Sequence, residues 1–128
     1  MTLSHEELFL RYLHAGALTH DPDAVAGLFT EDGVYEAPLM PPGHRLPQRL
    51  AGREAIRAGV GAFHEEPAFQ GKVDVQRSGY VLHETADPDV FIAELDTAFE
   101  GGGTVSLVQI FRVRDGRIAR LRDYFLAP

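Results

Sequence analysis

What most constrains this chain is a change of hydrophobic period at Gly71. Beyond it apolar and polar residues alternate, as they must in strands with one buried face. Four such runs follow, Lys72–His83, Val90–Glu100, Thr104–Val113 and Arg117–Leu126. Gly101-Gly102-Gly103 and Asp115-Gly116 separate the last three. Both are hairpin signals, because tight turns need residues that tolerate positive φ. The C-terminal half therefore reads as an antiparallel meander.

Before Gly71 the spacing is helical. Ser4 and Glu7 form a capping box, in which hydroxyl and carboxylate each satisfy a backbone N–H that the helix start leaves free. Leu8, Phe9, Tyr12, Leu13, Gly16 and Ala17 continue that helix's apolar face. Asp21-Pro22 starts a second helix, with Val25, Leu28 and Phe29 inward. A third begins near Gly52, with Ile56, Val60 and Phe63 on one side. Gly59 and Gly61 weaken it, each by about 1 kcal/mol against alanine. Val34–Ala37 is a short strand leading into an irregular, Pro- and Gly-rich loop, Pro38–Gln48. Three helices followed by a meander predict one α+β domain over residues 1–128, with the helices packed on one face of a curved antiparallel sheet.

The chain is long enough for a real core, and 45% hydrophobic against 24% charged residues is a globular balance. A net charge of −7 argues against nucleic acid or anionic membranes as partners. Arg112, Arg114, Arg117, Arg120 and Arg122 read as solvated strand positions. With no cysteine there is no disulfide, thiolate metal site or cysteine nucleophile. His5, His14, His20, His44 and His64 lack the paired spacing of a metal site, and no phosphate loop, nucleophile elbow or dinucleotide fingerprint occurs, so no metal or cofactor is expected. Met1–Glu7 is polar and acidic, unlike a secretory leader, and no run is long enough to span a bilayer. The expected location is the cytoplasm.

The register of the last hairpin decides which polar residues face inward. A two-residue turn at Asp115-Gly116 pairs Val113 with Ile118 and Gln109 with Arg122. A three-residue turn with a glycine bulge pairs Val113 with Arg117, Gln109 with Leu121 and Leu107 with Asp123. The second is preferred, because it gathers Val105, Leu107, Gln109, Phe111, Val113, Ala119, Leu121, Asp123 and Phe125 on one mostly apolar face. Gln109 and Asp123 are then diagonal neighbours, about 7–8 Å apart at the backbone. A carboxylate so placed should have a raised pKa, suited to proton transfer near neutrality. The plainer alternative is a buried Asp–Gln hydrogen bond, or an aspartate reaching water at the sheet end. Tyr12 and Tyr35 face inward and read first as core. His83 shares parity with Val73, Val75 and Val81 unless Ser78-Gly79 forms a bulge. Glu94 and Asp96 point outward.

Three stretches carry a family resemblance. They are Leu8-Phe9-Leu10-Arg11-Tyr12-Leu13 with His20-Asp21-Pro22-Asp23-Ala24-Val25-Ala26-Gly27-Leu28-Phe29-Thr30-Glu31-Asp32-Gly33-Val34-Tyr35-Glu36-Ala37-Pro38-Leu39; Leu50-Ala51-Gly52-Arg53-Glu54-Ala55-Ile56-Arg57; and Phe111-Arg112-Val113-Arg114-Asp115-Gly116-Arg117-Ile118 with Asp123-Tyr124-Phe125. Together they resemble the SnoaL-like branch of the nuclear transport factor 2-like superfamily, which also holds the ketosteroid isomerases. The resemblance implies a cone-shaped domain around a deep pocket, and a homodimer formed through the outer sheet face, where Val108 and Ile110 lie. It does not choose a reaction, since the scaffold hosts isomerases, cyclases, hydrolases and non-enzymes. The general-base aspartate of ketosteroid isomerases falls on Ala37, before Pro38, and Glu36 beside it turns outward. Their oxyanion tyrosine falls near Leu13, with Tyr12 one residue and about 100° away. Their protonated aspartate falls on Gln109. SnoaL-type polyketide cyclases instead use an acid/base aspartate on the last strands, which Asp123 resembles.

Two functional readings stay open. In the first, a cofactor-independent isomerase, cyclase or hydrolase uses Asp123 and Gln109 on an apolar, polyketide- or steroid-like substrate; Tyr12, Tyr35 and His83 bind it, and Leu107 and Phe125 wall the pocket. In the second, the same pocket holds a small hydrophobic ligand without chemistry. A purely structural dimerisation domain ranks below both.

Overall fold

The first two helices begin where the sequence supplies a side-chain cap. The computed structural model describes residues 3–66 and 71–126. Helix α1 (His5–Leu13) starts on the Ser4–Glu7 capping box and runs into a π-helical turn, His14–Leu18. Helix α2 (Pro22–Gly27) starts on Asp21, whose carboxylate accepts from the Ala24 amide. Helix α3 spans Arg53–Glu65. The strands are β1 (Phe29–Glu36), β2 (Arg49–Ala51), β3 (Gly79–Glu84), β4 (Val90–Ala98), β5 (Thr104–Arg114) and β6 (Arg117–Tyr124).

The six strands form one curved, open sheet in the order β2-β1-β6-β5-β4-β3. The α+β architecture with its wrapped meander is as expected, but the sheet is mixed. β1 lies parallel to β6, with Tyr35 opposite Leu121, and antiparallel to β2. A register shift between Phe29 and Val34 bends β1 against β6. Gly33 permits it: a Cβ there would lie 3.0 Å from Phe29 Cβ and from the Thr30 carbonyl.

The stretch expected as one strand over Lys72–His83 divides. Val73 makes an isolated bridge to Phe99. Asp74 then caps a 3-10 turn, Val75–Arg77, and also grips the Arg77 guanidinium at 2.7 Å. Ser78 Oγ accepts from the Ala98 amide, in place of a ladder carbonyl. Local side-chain bonds have displaced the ladder here, and regular pairing resumes only at Gly79.

The core fills the space between the helices and the inner sheet face. Phe9, Phe29, Phe91 and Phe111 are fully buried within it, with Ile56 from α3 and Ile118 and Leu121 from β6. Phe91 and Phe111 stack in parallel, and Phe9 and Tyr12 meet Phe111 edge-on.

Candidate functional site

Asp123 and Gln109 stand directly opposite each other on β6 and β5. Neither expected register survives along the whole hairpin. The turn is the two-residue form, with φ of 53° at Asp115 and 75° at Gly116, and it pairs Val113 with Ile118. A bulge then inserts one residue into β6, so that Arg112 faces Arg120 and Gln109 faces Asp123. The bulge turns Ile118 inward, where it is fully buried, and leaves Ala119, expected on the inner face, only half-buried. Burial drives the exchange, because an isoleucine gains more from leaving water than an alanine.

Asp123 is 6% exposed. Tyr35 Oη donates to its Oδ2 at 2.7 Å, and Gln109 Nε2 donates to its Oδ1 at 3.2 Å. Burial pushes the carboxyl up to about 6, although both hydrogen bonds pull it down. Desolvation wins because both donors are neutral, and no cationic side chain pairs with the carboxylate among the described residues. The phenols of Tyr12 and Tyr35 are held well above their usual range by burial and then by the charge of Asp123. Gln109 Oε1 is buried without a hydrogen-bond partner.

These groups lie in the wall of a cavity of about 570 Å³. Tyr12 and Leu13 border it from α1, and Gly16 and Ala17 from the π-helical turn, whose wider backbone follows directly on α1. Tyr12, expected on the inward face as a ligand-binding residue, thus borders the cavity together with Leu13. Val60 and Phe63 of α3 close one side; Leu95, Leu107 and Phe125 line the sheet side.

Of the residues singled out from sequence, the structure brings Asp123, Gln109, Tyr12, Tyr35, Leu107 and Phe125 to this one cavity. His83 lies elsewhere. It pairs with Ile92 on the outer sheet face, and its Nε2 sits 2.6 Å from Glu94 Oε2 in an exposed ion pair. The 3-10 turn is the reason, because it breaks the alternation that carried inward parity from Val73. Ala37 is fully buried, and Glu36 faces outward to Arg120 at 2.6 Å.

The sequence reading missed the rest of the cavity border. His20, at φ 50°, stacks on His64 with ring centroids 4.6 Å apart. Burial and the neighbouring His20 lower the His64 pKa. Lys72 and Glu100 also border the cavity. Position 72 holds the chain's one lysine, the single signal that could have drawn notice to it.

A curved, open sheet packed with three helices over an apolar cavity is the architecture of the NTF2-like class of α+β domains. Within that class the chain belongs to the SnoaL-like family, whose domain model matches residues 9–121. An isomerase candidate from Bacillus subtilis is 26% identical, with a TM-score of 0.72 over 97% of this chain and 90% of its own. A polyketide cyclase candidate from Pseudomonas putida KT2440 is 20% identical, with a TM-score of 0.69 over 97% and 92%. A phenazine biosynthesis-related protein from Pseudomonas aeruginosa, also 20% identical, gives 0.69 over 94% and 74%. The last two establish likeness of fold alone. No curated protein matches the chain significantly.

Proposed function

We propose that this protein is a cofactor-independent acid/base enzyme in which Asp123 moves a proton on an apolar carbonyl compound. One observation carries the reading: a carboxyl with a pKa of about 6 is buried in the wall of a largely apolar cavity, held from two sides by Tyr35 and Gln109. A base whose pKa lies near the working pH is both available and strong enough to act. The carboxylate takes the proton from the carbon beside the carbonyl. The C–H electron pair becomes a new C=C bond, and the carbonyl π pair moves onto oxygen as an enolate. Tyr12, whose hydroxyl has no hydrogen-bond partner among the described residues, donates to that oxygen. Return of the proton to another carbon completes an isomerisation. Attack of the enolate carbon on a second carbonyl in the same molecule puts that carbonyl's π pair on its oxygen, which takes the proton back from Asp123 and completes a cyclisation. The apolar walls keep water from the enolate.

The test is α-proton exchange of 2-tetralone in D₂O, followed by NMR. Acceleration of about 10²–10⁴-fold is expected, rising with pH through about 6 and abolished in Asp123→Asn. Binding of the ketone without acceleration would leave a non-catalytic binding protein. That second reading draws on fully buried Ala37, which stands where the resemblance to ketosteroid isomerases places their base.

Two copies are proposed to meet through the outer sheet face. Val108 and Val81 are exposed there, with carboxylates (Glu94, Asp96) on β4 and guanidiniums (Arg120, Arg122) on β6. A two-fold axis near β5 would set the acidic strand of one copy over the basic strand of the other. No helix among the described residues is long and apolar enough to cross a membrane; a cytoplasmic location remains part of this proposal.

A further inference from the structure

Among the described residues the buried carboxylate of Asp123 has no counter-ion. Its donors, Tyr35 and Gln109, are neutral, and Tyr12, the other titratable group acting on it, is neutral in its ordinary state. Elsewhere on the cavity border the charged groups among the described residues are Lys72 and Glu100, opposite in sign, together with the histidines His20 and His64, of which burial helps keep His64 neutral. Lys72 and Glu100 being opposite in sign, the remaining carboxylate on the described cavity border is Asp123, which no lysine or arginine offsets. Around it the cavity lining includes the aromatic side chains of Tyr12, Tyr35 and Phe63. Aromatic faces attract cations, by about 0.5–2 kcal/mol each when desolvated. A carboxylate taken out of water gains most from a partner of opposite charge.

We infer that the cavity binds an organic cation, an amine whose ammonium rests against Asp123 and whose apolar body fills the remaining space. An anionic ligand meets Asp123 unneutralised. A neutral one leaves the carboxylate as it stands. Only a cation supplies what the site lacks, and it does so through the charge and shape of the cavity rather than through proton transfer. The inference therefore goes beyond the catalytic proposal and holds whether or not Asp123 moves protons.

The test is isothermal titration calorimetry with three ligands of one shape: 2-naphthylmethylamine, 2-naphthylmethanol and 2-naphthoate. At about pH 8, where Asp123 is ionised, the amine should bind about tenfold or more tighter than the alcohol, a difference of about 1.4 kcal/mol or more, and the carboxylate weakest. The preference should shrink in the wild type at about pH 5, where Asp123 takes up its proton. It should collapse at about pH 8 in Asp123→Asn, which keeps the hydrogen-bonding shape without the charge. Equal binding of amine and alcohol overturns the inference, as does a preference that survives in Asp123→Asn, or no binding of any of the three. If the variant does not fold, the comparison of amine with alcohol in the wild type at about pH 8 still decides the matter. No arm reads catalysis, so a failed exchange experiment and a failed binding series are distinct results.

Discussion

The hydroxyl of Tyr35 donates to Asp123 across 88 positions of sequence, and the bond joins β1 to the strand beside which it runs parallel. It has two consequences. It holds the carboxylate in one orientation, and it opposes the desolvation that raises the pKa. Tyr35→Phe keeps the ring and removes only the donor. The Asp123 pKa should then rise above about 6, read from the carboxyl carbon by NMR titration. Global stability should fall by about 1–3 kcal/mol at neutral pH, the usual cost of deleting a buried hydrogen bond to a charged group. An unmoved pKa would mean that the bond does not form in solution.

Burial of Asp123 also makes folding depend on pH. The native carboxyl holds its proton more tightly than the unfolded one, so the native state binds more protons between about pH 4 and pH 6. Stability should fall as pH rises through that window, by about 3 kcal/mol from this group. Asp123→Asn removes the ionisable group. The difference in urea unfolding free energy between variant and wild type should therefore grow in the variant's favour over the same window and stay level above it. A constant difference would mean that the native carboxyl titrates like an exposed one.

The inward placement of Gln109 and Asp123 was legible because alternation survives in each strand separately. How the strands pair was not. The expected diagonal became a direct pair through the bulge at Ala119, and a bulge changes no residue type. The parallel seam between β1 and β6 joins residues such as Tyr35 and Leu121, whose contact no local pattern announces. The misplacement of His83 has a visible cause in hindsight: Asp74 and Ser78 are residues whose short polar side chains compete with a ladder. The cavity border escaped notice for a simpler reason. His20, His64 and Lys72 come from a loop, the last turn of α3 and the segment before β3, with no common period.

The outer sheet face offers a test of assembly. Val108 is 39% exposed, opposite Glu94 on β4 and Tyr124 on β6. An arginine there is compatible with the single chain, since Glu94 is at hand, but it places a charge in the middle of an apolar contact between copies. Val108→Arg should keep the wild-type circular dichroism and sediment as a monomer where the wild type sediments as a dimer. A monomeric wild type at micromolar concentration would end the dimer proposal outright.

Two glycines in α3 should answer oppositely to the same substitution. Alanine is favoured over glycine in a helix by about 1 kcal/mol, because it restricts the unfolded chain. At Gly61 a Cβ would meet nothing nearer than Pro22 at 3.7 Å, an ordinary contact. Gly61→Ala should therefore stabilise by about 0.5–1 kcal/mol. At Gly59 the same atom would lie 2.6 Å from Leu50 Cδ1 and 3.2 Å from its Cγ. Leu50 belongs to the core, so it yields only by leaving its packing. Overpacking of this kind costs about 1–3 kcal/mol, which exceeds or cancels the helical gain. Thermal unfolding of the two variants should thus move in opposite directions, or upward for Gly61→Ala alone. A rise at both positions would show that Leu50 moves freely, and that Gly59 is not there to let α3 approach β2.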